Sequence, residues 1–99
     1  MTGKKTNWSK TAKKQYSAAI EYILNDSIKN AETVERKFRE KLKTVSKFPE
    51  TCPPDKYKVD NDGSYRVFIL YHYRVSYRVK TNEIIILRIR HTSMKPKYY

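Results

Sequence analysis

A single cysteine, Cys52, excludes an internal disulfide, and no cysteine or histidine stands at metal-ligand spacing from it, so a zinc site is excluded as well. Cys52 reads as a small loop residue. Long apolar runs are also missing. None approaches the ~20 residues of a membrane-spanning helix, and Met1 to Lys14 holds no hydrophobic signal core. No membrane partner is expected, and the cytoplasm is the expected location. The chain has no internal repeat and no low-complexity segment. Acidic side chains are scarce, 10 against 22 lysines and arginines, which leaves a net charge of +12. That balance is silent about fold but favours nucleic acid, ribosome or an acidic protein as partner. A chain of 99 residues supports one core and little more, so a single domain, 1–99, is expected.

What is present begins with helical periodicity. After a basic start with an edge strand near Lys5 to Trp8, Ser9 is placed to cap a helix whose apolar residues are Ala12, Tyr16, Ala19, Ile20, Ile23 and Leu24. Asn25-Asp26-Ser27 interrupts it with side chains that favour turns and caps. A second helix follows, with Ala31, Val34, Phe38, Leu42, Val45 and Phe48 at steps of three and four, and Pro49 stops it. Glu32 with Arg36 and Glu35 with Arg39 have i,i+4 spacing on its outer face, an ordinary solvated pattern. From Pro49 to Gly63 the sequence reads as a loop with a short strand at Tyr57 to Val59 and a turn at Asn61-Asp62-Gly63.

From Tyr65 the period changes to two. Strands are predicted over Tyr65 to Leu70, Arg74 to Lys80 and Glu83 to Arg90, with connections short enough to require antiparallel hairpins; His72 falls in the first turn and Thr81-Asn82 in the second. In the middle strand Val75, Tyr77 and Val79 share one face and Arg74, Ser76 and Arg78 the other. In the last, Ile85, Leu87 and Ile89 oppose Ile84, Ile86, Arg88 and Arg90. The expected fold is α+β: an N-terminal helical hairpin packed on one face of a three- to four-stranded, mainly antiparallel sheet, with arginines on the solvent face.

The last third of the chain concentrates charge. Between Tyr65 and Tyr99 stand Arg66, Arg74, Arg78, Lys80, Arg88, Arg90, Lys95 and Lys97 against one acid, Glu83. That surface suits a polyanion. His91, at the end of the last strand, carries an imidazole, the side chain suited to proton transfer near neutrality, with the phenols of Tyr98 and Tyr99 just beyond.

Taken in order, two helices, Tyr-Arg-Val-Phe-Ile-Leu, Tyr-Arg-Val-Ser-Tyr-Arg-Val, Ile-Ile-Ile-Leu-Arg-Ile-Arg-His-Thr and the late Pro96-Lys97-Tyr98 resemble the RelE/ParE superfamily of bacterial type II toxins. The resemblance spans nearly the whole chain, including the Trp8 to Ala12 start and the Phe48-Pro49 helix exit. It implies a toxin neutralised by a cognate acidic antitoxin, and two different targets, of which mRNA on the ribosome is the expected one and DNA gyrase the alternative. The RelE-like branch implies a metal-independent endoribonuclease, without cofactor, that cuts mRNA on the ribosome. On that branch Arg74, His91 and Tyr98 match the catalytic positions, and Arg66, Arg78, Arg88, Arg90, Lys95 and Lys97 would bind RNA. A base, phosphate-binding cations and an acid for the leaving oxygen are what the cleavage needs. The chain departs from the RelE pattern at Phe68, where a lysine is expected, and at Lys95 and Lys97, where arginines are. The ParE-like branch implies inhibition of DNA gyrase by binding, with no nuclease residues.

Each of these residues also has a plainer reading. Alternating arginines are commonly a solvated sheet face. His91 can fasten the tail by hydrogen bonding to backbone, and Tyr98 and Tyr99 can pack as an aromatic end. Trp8 fits the helix–sheet junction, and Tyr16 and Tyr77 fall on apolar faces and belong to the core.

Overall fold

The computed structural model describes residues 3–99. In chain order it consists of β1 (Lys5–Trp8), α1 (Lys10–Asp26), α2 (Ile28–Lys47), a 3-10 turn (Pro49–Thr51), β2 (Tyr65–Leu70), β3 (Tyr73–Val79) and β4 (Glu83–His91). The sheet order is β1-β4-β3-β2, with β1 parallel to β4 and the other pairs antiparallel. This is the expected α+β architecture.

Ser9 caps α1, its Oγ accepting from the Ala12 amide at 3.0 Å. Of the expected break, only Ser27 leaves the helical conformation. Its extended backbone ends α1, and its hydroxyl accepts from the Asn30 amide at 3.1 Å to begin α2. One residue with that geometry turns the chain into a helical hairpin.

The hairpin buries Ala12, Ala19, Ile23, Ala31, Val34, Phe38 and Val45 against Phe68, Val75, Tyr77, Ile84, Ile86 and Ile89. Trp8 sits at the helix–sheet junction, its ring 5.3 Å from Tyr16 and 5.6 Å from Phe38. Tyr77 is fully buried, and its hydroxyl donates to the Pro49 carbonyl at 2.7 Å. Burial pushes this phenol far above its ordinary pKa.

Several expectations need correcting. Leu24 and Phe48 continue the helical period but lie exposed, Phe48 by 59%, its backbone already out of the helical conformation at the cap of α2. Tyr57 to Val59 forms turns, not a strand; the isolated bridge in this region joins Pro54 to Arg66. The ion pair on the outer face of α2 is Arg36 with Glu40 at 3.2 Å, rather than Glu32 with Arg36 or Glu35 with Arg39.

The largest correction concerns β4. Ser76 pairs with Arg88 and Tyr77 with Ile86, which leaves Leu87 as an extra residue, a β-bulge. The bulge shifts the alternation by one, so that Ile84, Ile86 and Ile89 all face the helices. The expected face of Ile85, Leu87 and Ile89 therefore does not exist. Arg88 and Arg90 are delivered to the far face, beside Arg74. The start of α1 holds the irregularity in place: the Ser9 amide donates to the Ile86 carbonyl at 2.9 Å and its hydroxyl to the Leu87 carbonyl at 2.8 Å. The Gln15 side-chain oxygen accepts from the Ile89 amide at 2.6 Å.

Candidate functional site

The face of the sheet turned away from the helices carries Arg74, Ser76 and Arg78 from β3 and Arg88 and Arg90 from β4. Strand alternation and the Leu87 bulge put them together. The face is not simply solvated. The loop of residues 53–63 and the final segment, residues 95–99, fold over it.

A buried carboxylate organises this cover. Asp55, 1% exposed, accepts from Arg74 Nη2 at 3.1 Å, Ser76 Oγ at 2.8 Å, the Tyr99 hydroxyl at 2.7 Å and the Tyr57 amide at 3.1 Å. Burial alone would raise its pKa. The bonds from Tyr99, the Tyr57 amide, Ser76 and Arg74 outweigh that and hold the carboxyl below its usual range. The loop that presents Asp55 is fixed by Asn61, whose Nδ2 donates to the Tyr65 carbonyl at 2.7 Å and whose Oδ1 accepts from the Gly63 amide at 2.9 Å. Gly63 takes φ +95°, a conformation open to glycine at no steric cost.

The guanidinium groups lie against aromatic rings. Arg74 is 4.5 Å from the Tyr57 ring centre, Arg78 5.0 Å from Tyr65 and Arg88 4.0 Å from Tyr99. The tail binds back through its own backbone: Arg88 donates to the Lys97 carbonyl at 2.6 Å and Arg90 to the Lys95 carbonyl at 3.1 Å. The Tyr99 amide donates to the Tyr57 carbonyl at 3.0 Å, and the Val59 amide donates to the Tyr99 carbonyl at 2.6 Å. Burial lowers the pKa of Arg88, and burial followed by the Asp55 contact pushes the Tyr99 phenol up to about 12.

Of the candidate residues, the fold brings Arg74, Arg78, Arg88, Arg90 and the tail together. Tyr98 joins them indirectly, exposed and 5.4 Å ring to ring from Tyr57. Lys95 and Lys97 contribute backbone carbonyls while their side chains stay exposed. Arg66 is elsewhere. It pairs with Tyr77 on the helix side of the sheet and donates to the carbonyls of Gly63, Glu50 and Cys52 at 3.1, 3.2 and 2.7 Å, fastening the loop to β2. His91 is on the helix side by strand register, at the end of β4 where it also borders the cleft that Arg74, Arg88 and Arg90 line. It pairs with Tyr73, their rings 5.2 Å apart, and its Nδ1 accepts from the Ser93 amide at 3.1 Å, a tail-fastening arrangement. Sequence reasoning misses Asp55, Tyr57 and Tyr65 as site residues, and takes Tyr99 only as a phenol beyond His91 or part of an aromatic end. The available signal was Asp55 itself, an acid placed directly after Pro53-Pro54 and ahead of a strongly basic sheet.

The family described as "ParE toxin of type II toxin-antitoxin system, parDE" matches residues 6–96. The chain belongs to this family. Solved structures resemble this ParE-family chain at the level of fold. The chromosomal ParDE toxin-antitoxin system from P. aeruginosa aligns at a TM-score of 0.69 with 19% identity, covering 91% of this chain and 97% of that one. The toxin-antitoxin complex RelBE2 from Mycobacterium tuberculosis aligns at 0.57 with 17% identity, covering 92% and 93%. The conserved hypothetical protein HP0894 from Helicobacter pylori aligns at 0.54 with 19% identity, covering 91% and 96%. No curated protein sequence matches the chain.

Proposed function

We propose that this toxin acts by binding DNA gyrase, as the ParE-like resemblance implies, and not by cutting mRNA on the ribosome. One observation carries the reading: by strand register Arg74 and His91, which phosphodiester cleavage would need at one phosphate, stand on opposite faces of the sheet, His91 packed on Tyr73 and meeting Arg74 only as a shared border of the cleft beneath the tail. Arg74 is in addition paired with buried Asp55 at 3.1 Å, which offsets its own charge toward a crowded phosphate. A binding toxin needs neither group to converge. Its antitoxin partner is an acidic segment that folds on binding, suited to a chain of net charge +12.

The ribonuclease reading keeps one point in its favour, since exposed Tyr98 packs on Tyr57, which stacks on Arg74. Two assays on purified protein separate the readings. Inhibited supercoiling and accumulated gyrase-linked DNA breaks, with messages intact in cell-free translation, are the expected result. Messages cut on the ribosome while gyrase runs at its normal rate would overturn it. His91→Ala should keep full toxicity, whereas loss of toxicity in a folded His91→Ala protein would restore the nuclease assignment.

A further inference from the structure

We propose that the end of the molecule formed by the tip of the helical hairpin and the β2–β3 turn is a self-association surface, on which a second copy of this chain docks to give a symmetric dimer. The inference does not depend on which target the toxin acts on.

Charge is spread unevenly over this chain. Its 22 lysines and arginines leave two stretches empty, residues 15–28 and residues 67–73, and the charged side chains within them are Glu21 and Asp26. Cations resume at Lys29 in the first turn of α2 and at Arg74, which Asp55 holds on the far face of the sheet. The fold brings both stretches to one end. There the last turns of α1 and the β2–β3 turn border an open cleft of about 550 Å³, lined by Tyr22, Ile23, Asp26, Tyr71, Tyr73 and His91 among others. Leu70 and Tyr73 pack on the cluster of Ile23, Ala31 and Val34, so the cleft stands on a firm base. Apolar surface is left open at this end: Tyr22 is 70% exposed and Ile28 66%, and Leu24 and Tyr71 are half-exposed. A tyrosine-rich surface without lysine or arginine has the composition of an interface core.

The turn itself is held under strain. Tyr71 takes φ +58°, a left-handed conformation in which a bulky side chain is crowded and which glycine or asparagine adopts more freely. That strain sets a half-exposed ring at the cleft, 4.7 Å from the His72 ring. The half-buried Tyr73 phenol is pushed above its ordinary pKa by burial first and then by the Tyr22 and Tyr71 phenols, as expected of three hydroxyls near one opening.

Charge decides the occupant. Two chains of net charge +12 repel wherever their cationic faces meet, and salt shortens that repulsion to about 8 Å under physiological conditions. At this end two copies can touch without setting the arginines of their sheets against each other, and Glu21 and Asp26 carry the sign that lessens what repulsion remains. An acidic partner finds no cation in either stretch to pair with. A symmetric contact sets the same patch of each copy against the other, which requires a self-complementary surface. This end has one, since each copy holds a cleft and projects Tyr22 and Ile28 beside it. Tyrosine hydroxyls both donate and accept, so like can pair with like across the contact.

Sedimentation velocity on the full chain, from micromolar to submillimolar concentration, tests this. A monomer–dimer equilibrium is the expected result. Tyr22→Arg and Ile28→Arg each put a cation on the patch and should weaken the dimer by about tenfold or more. Phe48→Arg, which changes an exposed apolar residue at the other end of α2, should leave it unchanged. Raised salt should tighten the dimer, because it screens two like-charged chains. If the arginine variants fail to fold by circular dichroism, hydrogen exchange on the unmodified chain decides: the Tyr71 and His72 amides should exchange more slowly at submillimolar than at micromolar concentration. A chain that stays monomeric throughout, a dimer that Phe48→Arg weakens as much as Tyr22→Arg, or a dimer loosened by salt would overturn the proposal. A monomeric chain whose folded Tyr22→Arg variant no longer binds antitoxin or gyrase would also overturn it and give the face to that partner.

Discussion

The Tyr99 hydroxyl donates to Asp55 Oδ2 at 2.7 Å, joining residues 44 positions apart in sequence and closing the tail over the arginine face. Asp55 is buried, and its other oxygen holds Arg74. Removing one member of such a set strands the rest. Asp55→Ala should therefore cost about 3–5 kcal/mol of stability, the range for breaking a buried ion pair from one side. Tyr99→Phe, which deletes a single donor, should cost about 1–3 kcal/mol. Denaturant melts of both variants measure this, and equal losses would show that Asp55 does not organise the cover.

Acid should open the same latch. The folded pKa of Asp55 lies below its ordinary value, so its stabilisation is fully present above the unfolded value of about 3.9 and is lost as pH falls through the folded one. Exchange of the Tyr99 amide should accelerate below about pH 4 while the buried β3 amides stay protected. In Asp55→Asn the acid-dependent step at Tyr99 should be absent. A step of unchanged size in that variant would assign the acid sensitivity to another carboxylate.

Arg66 should behave as a fastening residue. Its three carbonyl acceptors tie Glu50, Cys52 and Gly63 to β2. Arg66→Ala should lower stability by about 1–3 kcal/mol, and toxicity measured per folded molecule should not change. Glu40→Ala, which breaks the exposed pair with Arg36, should stay within about 0.5 kcal/mol of the parent. Thermal melting beside a toxicity assay checks both, and a folded Arg66→Ala protein without toxicity would place Arg66 in the target contact.

The β4 bulge can be tested by removing its extra residue. Deleting Leu87 would leave Ile86 opposite Tyr77 and Arg88 opposite Ser76 in one unbroken alternation, so that Ile84, Ile86 and Ile89 keep the helix side and Arg88 the far face. The deletion should therefore still unfold cooperatively and cost about 1–3 kcal/mol, chiefly for the lost bond from the Ser9 hydroxyl to the Leu87 carbonyl. Leu87→Ala keeps the extra residue and should cost no more than about 2 kcal/mol, since Leu87 is only half-buried. A deletion variant without a cooperative melt, seen by circular dichroism and thermal unfolding, would mean that the fold requires the bulge itself.

Local chemistry in the sequence determined a good deal of this protein. The periods of three to four and then two placed both helices and the three late strands within a residue or two, and Ser9 and Ser27 act as caps because their hydroxyls reach amides three residues on. The charge excess was equally legible, as composition does not depend on folding. Tertiary structure alone decided which residues share a face in β4, because a bulge is defined by the partner strand and not by the strand's own alternation. It also separated Arg66 and His91 from Arg74, since neighbouring strands pair residues that stand far apart along the chain. The burial of Asp55 was beyond local reading for the same reason: its donors come from the neighbouring Tyr57 amide, from β3 and from the last residue, and only the closed fold brings a carboxylate and its compensating hydrogen bonds together out of water.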